Sequence, residues 1–272
     1  MKIGITGSSG SLGKELLKSI KFKKIYRFKG RLENKNKIIH WIKKNNFDCI
    51  IHLAAIVPIN IVNKNKQKAL NVNYFATKNL VDSIKKYSKK KIWLFYSSTS
   101  HVYKIGNNKK KEIEKTKAST YYGKTKELSE KYLLKNKKYL FICIGRIFSY
   151  TSKTQKKYYL IPNLIKKFKT KRKFIVFKNL NHYRDFLSIG DITSAIKLLM
   201  TKKATGIYNI CSGKKIHLID LVKSINRNYN KDIIFSSNTK PTNLIGHNKK
   251  LMKLGWKCKN HNYLKYIKNY TK

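Results

Sequence analysis

The chain of 272 residues carries 63 Lys+Arg against 12 Asp+Glu, a formal net charge of +51, yet 41% of it is hydrophobic and 12% aromatic. That apolar content excludes a disordered polycation, and the length is ample for a buried core in one large domain or one and a half. No run approaches the roughly 18 uncharged apolar residues of a membrane span.

Lys2–Thr6 reads as a strand, followed by a glycine-rich turn and then Leu12, Leu16, Leu17 and Ile20 at helical spacing. Lys24–Phe28 is a second strand, Lys37–Asn45 a helix, and Asp48–Ala54 a buried strand. Ala69–Tyr87 reads as one long amphipathic helix, Lys91–Ser97 as a strand, Ser119–Leu134 as a helix and Tyr139–Gly145 as a further buried strand. Continuous apolar strands separated by helices predict a parallel sheet covered on both faces, a doubly wound α/β Rossmann domain over residues 1–150. The pattern then loosens. Helices are predicted at 159–169, 191–201 and 217–229, with strands near 173–177, 207–210 and 232–235. Residues 151–272 thus form a smaller mixed segment for substrate, with the chain crossing back to the sheet near 174–190. The charge run Asn107–Lys117 is expected to be a solvated loop.

A charge of +51 invites a polyanion reading, with nucleic acid first. Only six of the basic residues are Arg, however, and the Lys is spread over the whole chain without a basic arm. Lys, Asn and Ile together are the residues of A/T-rich codons, so coding bias accounts for the composition without a partner. The opening MKIGITGSSG reaches glycines too soon for the apolar part of a secretory leader. Cys49, Cys143, Cys211 and Cys258 form no CxxC pair and no zinc spacing. A cytoplasmic protein without metal, membrane or specific nucleic-acid partner is expected.

Chemistry concentrates at two places. The first is Thr6-Gly7-Ser8-Ser9-Gly10-Ser11-Leu12-Gly13, a GxxGxxG turn between strand and helix. Gly7 permits the tight turn, Gly10 lets backbone approach a pyrophosphate, and Gly13 permits close helix–strand packing. The helix start then meets the anion with free N–H groups. The second strand ends Tyr26-Arg27-Phe28-Lys29 without the acid that usually holds ribose hydroxyls, so Arg27 or Lys29 facing a 2′-phosphate tilts the reading from NAD toward NADP. The second place is Tyr122 and Lys126, four apart at the start of a helix and so on one face. A phenol near pKa 10 is a poor base unless a cation favours the phenolate. Upstream, Tyr96-Ser97-Ser98-Thr99-Ser100 ends a strand and offers Thr99 to a substrate oxygen beside Tyr122.

Together with DCIIHLAA at 48–55, NVNYFATKNL at 71–80, RDFLSIGDITSAI at 184–196 and YNICSG at 208–213, these residues resemble the extended short-chain dehydrogenase/reductase family of nucleotide-sugar epimerases, dehydratases and reductases. The resemblance implies catalysis by Thr99, Tyr122 and Lys126. It also implies cofactor contacts at Gly7, Gly10, Ser11, Leu12, Gly13, Ala54 and Ala55, with Tyr122 and Lys126 contributing, and a substrate diphosphate gripped by Arg184. Where dehydratases carry two acids after the Thr, this chain has Ser100 and His101, which argues against water loss and leaves His101 either a second acid/base or an ordinary loop residue. His52 inside its apolar strand reads as a satisfied core residue, and Asn71 and Asn73 as structural at least as readily as site-facing. The implied activity is that of an NAD(P)-dependent 4-keto-sugar reductase on a nucleoside-diphosphate sugar, with a 4-epimerase retaining NAD as the alternative. A non-catalytic nucleic-acid-binding or regulatory protein on the same fold is the distant rival. A homodimer through the 69–87 and 119–134 helices is expected by family analogy.

Overall fold

A computed structural model of the chain describes residues 1–20, 24–260 and 262–271. In chain order its first half comprises β1 (Ile3–Thr6), α1 (Ser11–Ser19), β2 (Ile25–Arg27), α2 (Lys35–Asn45), β3 (Cys49–His52), α3 (Ile59–Lys64), α4 (Lys66–Leu70), α5 (Ala76–Tyr87), β4 (Trp93–Thr99), α6 (Tyr121–Lys135) and β5 (Phe141–Ile147). The second half comprises β6 (Ser149–Thr151), α7 (Leu160–Phe168), β7 (Phe174–Lys178), β8 (His182–Arg184), β9 (Phe186–Ser188), α8 (Ile189–Thr201), β10 (Gly206–Ile210), β11 (Ile216–His217), α9 (Leu218–Asn226), β12 (Asp232–Ser236), β13 (Thr242–Leu244), α10 (Lys249–Met252) and α11 (Tyr263–Tyr270).

Six strands pair in the order β10-β5-β4-β3-β1-β2, all parallel. Their apolar runs are buried on both faces, as a sheet flanked by helices requires. One face packs on α1 and α8 through Leu16, Ile192 and Ile196, and the other on α2, α5 and α6 through Ile38, Leu80 and Leu133. Strand order reverses at β1, between β2 and β3. In a doubly wound sheet the crevice above that reversal receives ligands.

The chain returns to this sheet at Gly206–Ile210, whose strand pairs with β5, and not over the predicted 174–190. That stretch instead supplies β7, β8 and β9 to small sheets, which pair with β12, with β11 and β13, and with β6. A separate apolar core, built on Phe168, Phe177, Leu221 and Ile267, holds α7, α9 and α11 together. The long helix expected over 69–87 is present, running from α4 into α5 through a π-helical turn at Asn71–Phe75. The run at 107–117 is a loop, but a packed one. Lys110 is buried, its carbonyl accepts from Asn209 Nδ2, and the Glu112 carboxylate accepts from the Asn209 N–H.

Candidate active site

The glycine turn joins β1 to α1 at the crevice. Gly7 has φ +71°, and a Cβ there would lie 2.6 Å from the Ala54 nitrogen, so the turns after β1 and β3 touch through it. At Gly13 a Cβ would meet the Gly7 carbonyl at 2.3 Å. Gly10 differs: its φ is −72°, and a Cβ would meet only the Gly7 oxygen, at 3.4 Å. The fold itself therefore tolerates a side chain at position 10. Its absence leaves the start of α1 open, with no side chain capping the helix. A bare helix N-terminus beside an open glycine is the surface a pyrophosphate fits.

A cavity of about 810 Å³ opens beside this turn. It is bordered by Gly7, Gly10, Ser11, Leu12 and Gly13, by Ala55 after β3, by Ser97 to His101, and by Tyr122. Thr99, Tyr122 and the glycine turn are thus brought to one space. Ala54 touches Gly7 from behind and does not border the cavity; neither do Arg27, Lys126 and Arg184. Arg27 is exposed at the carboxyl end of β2.

Thr99 ends β4, and its hydroxyl accepts from the His101 N–H in the turn of 3₁₀ helix that follows. Helix α6 starts beside it because Thr120 caps it, accepting from the Gly123 N–H at 3.0 Å. Gly123 lets the helix approach closely, for a Cβ there would fall 2.2 Å from the His101 carbonyl oxygen. This contact sets Tyr122 against Thr99. Burial pushes the Tyr122 phenol well above its ordinary range, Tyr150 and Tyr159 reinforce that, and a hydrogen bond with Thr99 opposes it.

Lys126 follows one turn later, fully buried, with Nζ 4.1 Å from the centre of the Tyr96 ring. Burial lowers its pKa to about 7, against the pull of Glu130. Lys126 points into the layer beneath, near enough to His52 to disfavour charge there. His52 is a satisfied core residue: Nδ1 bonds Thr6 Oγ1 at 2.6 Å and Nε2 bonds Thr77 Oγ1 at 2.9 Å. Asn73 is likewise structural, clamping both backbone groups of Ile56 and donating to Thr125.

One turn beyond Lys126 lies a group that reading by Tyr–Lys spacing missed. Glu130 is buried and takes Arg146 of β5 through Nε at 3.2 Å and Nη2 at 2.7 Å, while Ser98 also donates to it. The signal was present: Tyr122, Lys126 and Glu130 recur every four residues, hence on one helix face. This pair ties α6 to β4 and β5 directly behind Thr99.

Arg184 and Asp185 do not pair with each other. The Arg184 guanidinium donates to the carbonyls of Tyr183 and Thr242 and to Thr242 Oγ1, all neutral oxygens. Asp185 is buried and gathers the Ser212 N–H and hydroxyl and the N–H groups of Gly213 and Gly246. Burial nevertheless raises its pKa to about 6. Asp185 therefore pins the loop after β10, and the Arg184 charge is left without a carboxylate among the described residues. The far wall of the cavity, with Tyr150, Gln155, Tyr159 and Asn163, follows β5 and has no spacing signal in the sequence. No helix among the described residues is long and apolar enough to cross a membrane.

Comparison with known proteins agrees with this geometry. The profile of the NAD dependent epimerase/dehydratase family matches residues 3–211. A GDP-6-deoxy-D-talose 4-dehydrogenase of Aggregatibacter actinomycetemcomitans is 30% identical over 222 residues, covering 78% of this chain and 75% of the relative. Among solved structures, a UDP-glucose 4-epimerase of Thermus thermophilus in complex with NAD superposes with TM-score 0.84 at 17% identity, over 100% of this chain and 99% of the other. RMD from Pseudomonas aeruginosa complexed with NADPH gives 0.86 at 18%, with the same coverage. At these identities the two structures speak for the fold.

Proposed function

The chain belongs to the NAD dependent epimerase/dehydratase family, and from that premise we propose that it is an oxidoreductase acting at C4 of the hexose in a nucleoside-diphosphate sugar, working as a 4-keto-sugar reductase. The observation that carries this reading is the placement of Thr99 and Tyr122 side by side on the cavity wall beside the glycine turn. Two features support the finer choice. No carboxylate borders the cavity among the described residues, so the acids that water elimination needs are missing. The relative sharing 30% identity is named for oxidoreduction at position 4 of a 6-deoxyhexose.

Bound along Gly7, Gly10, Ser11, Leu12, Gly13 and Ala55, a nicotinamide dinucleotide supplies the hydride donor or acceptor. The chain's own residues handle the oxygen. Thr99 donates a hydrogen bond to the C4 oxygen and orients it. Tyr122 delivers its phenolic proton to that oxygen during reduction and takes it back during oxidation. Arg184, held only by neutral oxygens, is free to exchange them for the stronger bidentate contact of a diphosphate. The exposed Arg27 and the absence of an acid on β2 favour the cofactor carrying a 2′-phosphate. Exposed Phe75 and Leu128, around α5 and α6, support a homodimer across those helices.

The test is turnover of nucleoside-diphosphate 4-keto-hexoses with NADPH by wild type and Tyr122→Phe. The variant should bind NADPH normally and lose about 10²- to 10⁴-fold in rate, as for a missing general acid. Equal turnover removes the role of Tyr122. A 4-epimerase using the same residues would return the C4 epimer without net consumption of NADPH.

A further inference from the structure

Beside Tyr122 stands His101, a residue that the proposed proton transfer does not use. Its ring borders the cavity and meets the Tyr122 ring edge-on, with 6.1 Å between centres. Its Nδ1 is buried and has no hydrogen-bond partner. Such orphaned polar atoms are rare in folded chains, because each costs the desolvation of an unpaired group. The His101 backbone is held from both sides. The Thr99 hydroxyl accepts from its backbone N–H, and Gly123 allows α6 to press on its carbonyl. The backbone position is therefore fixed while Nδ1 of the imidazole is left unsatisfied.

Its surroundings keep it neutral. Burial lowers its pKa to about 4, and the nearby Arg184 cation adds to that. A neutral imidazole carries one N–H donor and one bare nitrogen acceptor. A sugar hydroxyl has the same pairing, one donor and lone pairs to accept. An ammonium or a carboxylate lacks one half of it. The rest of the cavity wall is equally uncharged, formed by hydroxyls, amides and apolar side chains such as Pro58, Ile59 and Phe186.

We propose that His101 is a specificity-determining residue that reads a ring hydroxyl of the hexose, the one next to the reacting oxygen at Tyr122. The inference rests on the nucleotide-sugar reading above and deepens it. The site then takes a neutral hexose with a free hydroxyl next to the reacting carbon.

The experiment compares binding of bare nucleoside diphosphates with that of their hexose conjugates, using UDP against UDP-glucose and GDP against GDP-mannose, by calorimetry on the NADP-loaded protein. Wild type, His101→Phe and His101→Asn are measured. Phe keeps the ring packing against Tyr122 without nitrogens, while Asn keeps a donor and an acceptor. In His101→Phe the affinity for a hexose conjugate relative to its bare diphosphate should fall roughly tenfold, one neutral hydrogen bond's worth. His101→Asn should recover part of it, and the bare diphosphates should bind all three proteins alike. A merely structural role would move both kinds of ligand together, which overturns the proposal, as does an unchanged ratio in His101→Phe. If no hexose conjugate binds wild type, the nucleotide-sugar reading falls and this inference falls with it. If the ratio drops in His101→Phe while Tyr122→Phe retains full turnover, the hydroxyl contact stands and only the catalytic assignment fails.

Discussion

Gly123→Ala separates the geometry of the proton-transfer pair from the rest of the protein. The added methyl would sit 2.2 Å from the His101 carbonyl oxygen, 2.9 Å from its carbon and 3.1 Å from the Ala118 Cβ. A carbon and a carbonyl oxygen rest at about 3.3 Å, so the start of α6 must retreat from the Thr99–His101 segment by about 1 Å. Tyr122 rides on α6 and Thr99 on the segment it leaves. A misplacement of about 1 Å costs on the order of 10²-fold in rate. Stability responds differently. Alanine gains up to about 1 kcal/mol over glycine inside a helix, and crowding against backbone costs about 1–3 kcal/mol. The net is a loss of about 0–2 kcal/mol.

The assay is steady-state turnover beside NADPH titration and thermal melting of the same preparations. Turnover should fall about a hundredfold, dinucleotide affinity should hold within a factor of two or three, and melting should shift by a few degrees. Turnover within about threefold of wild type would refute the reasoning, because the clash would then have been absorbed without parting Tyr122 from Thr99. A parallel loss of dinucleotide affinity would refute it differently, by showing that the glycine turn and α6 do not move independently.

Gly10→Ala should give the opposite pattern. Its Cβ meets only the Gly7 oxygen at 3.4 Å, so melting should be unchanged while NADPH affinity drops at least tenfold; unchanged affinity would mean that nothing approaches the turn at that point. Lys126 should leave a signature in the pH dependence of stability. Its folded pKa is about 7 against 10.5 ordinarily, so between those values the unfolded chain holds more protons and rising pH favours the fold. Stability relative to Lys126→Met should therefore be flat below pH 7 and climb above it, by at most about 1.4 kcal/mol per unit, as read by urea denaturation; a flat difference from pH 6 to 10 contradicts the depressed value.

What the sequence revealed follows the range of each interaction. Strands β1, β3, β4 and β5 stand out because a parallel sheet buried on both faces demands uninterrupted apolar runs. The glycine turn stands out because backbone contact with Ala54 and Gly7 leaves no room for other residues at positions 7 and 13. Pairs such as β8 with β11 and β13 involve strands of two or three residues, too short to show a period of two. The return of the chain at Gly206–Ile210 was visible as a strand, but its place beside β5 depends on a long-range pairing that local pattern does not encode. The π-helical turn escaped notice because one extra residue in a helix barely disturbs its periodicity. Within the site, Thr99 and Tyr122 were readable as a pair. The direction of Lys126 was not, since it is decided by the Tyr96 ring contributed by another element.

Charge and chemistry are separated in this molecule. Acids are scarce, at 12 in the chain, and those that are buried serve the frame around the cavity. Glu130 fixes α6 to β5, Asp185 fixes the loop after β10, and Asp191 accepts from the Lys259 N–H and from Asn260. Each meets donors that a neutral residue would leave partly unsatisfied, and such losses cost about 1–3 kcal/mol or more when buried. Arg146, buried against Glu130, meets the same demand, while most other bases lie outside the core. Among the described residues no Lys or Arg borders the cavity, although the chain has 63. For the proposed substrate, a surface this basic would attract the diphosphate from a distance and raise its rate of encounter, a contribution that salt screens. On that reading, selection among sugars falls to uncharged groups at contact range. That division explains how lysine can accumulate over the surface while Thr99, His101 and Tyr122 keep the surroundings their chemistry needs.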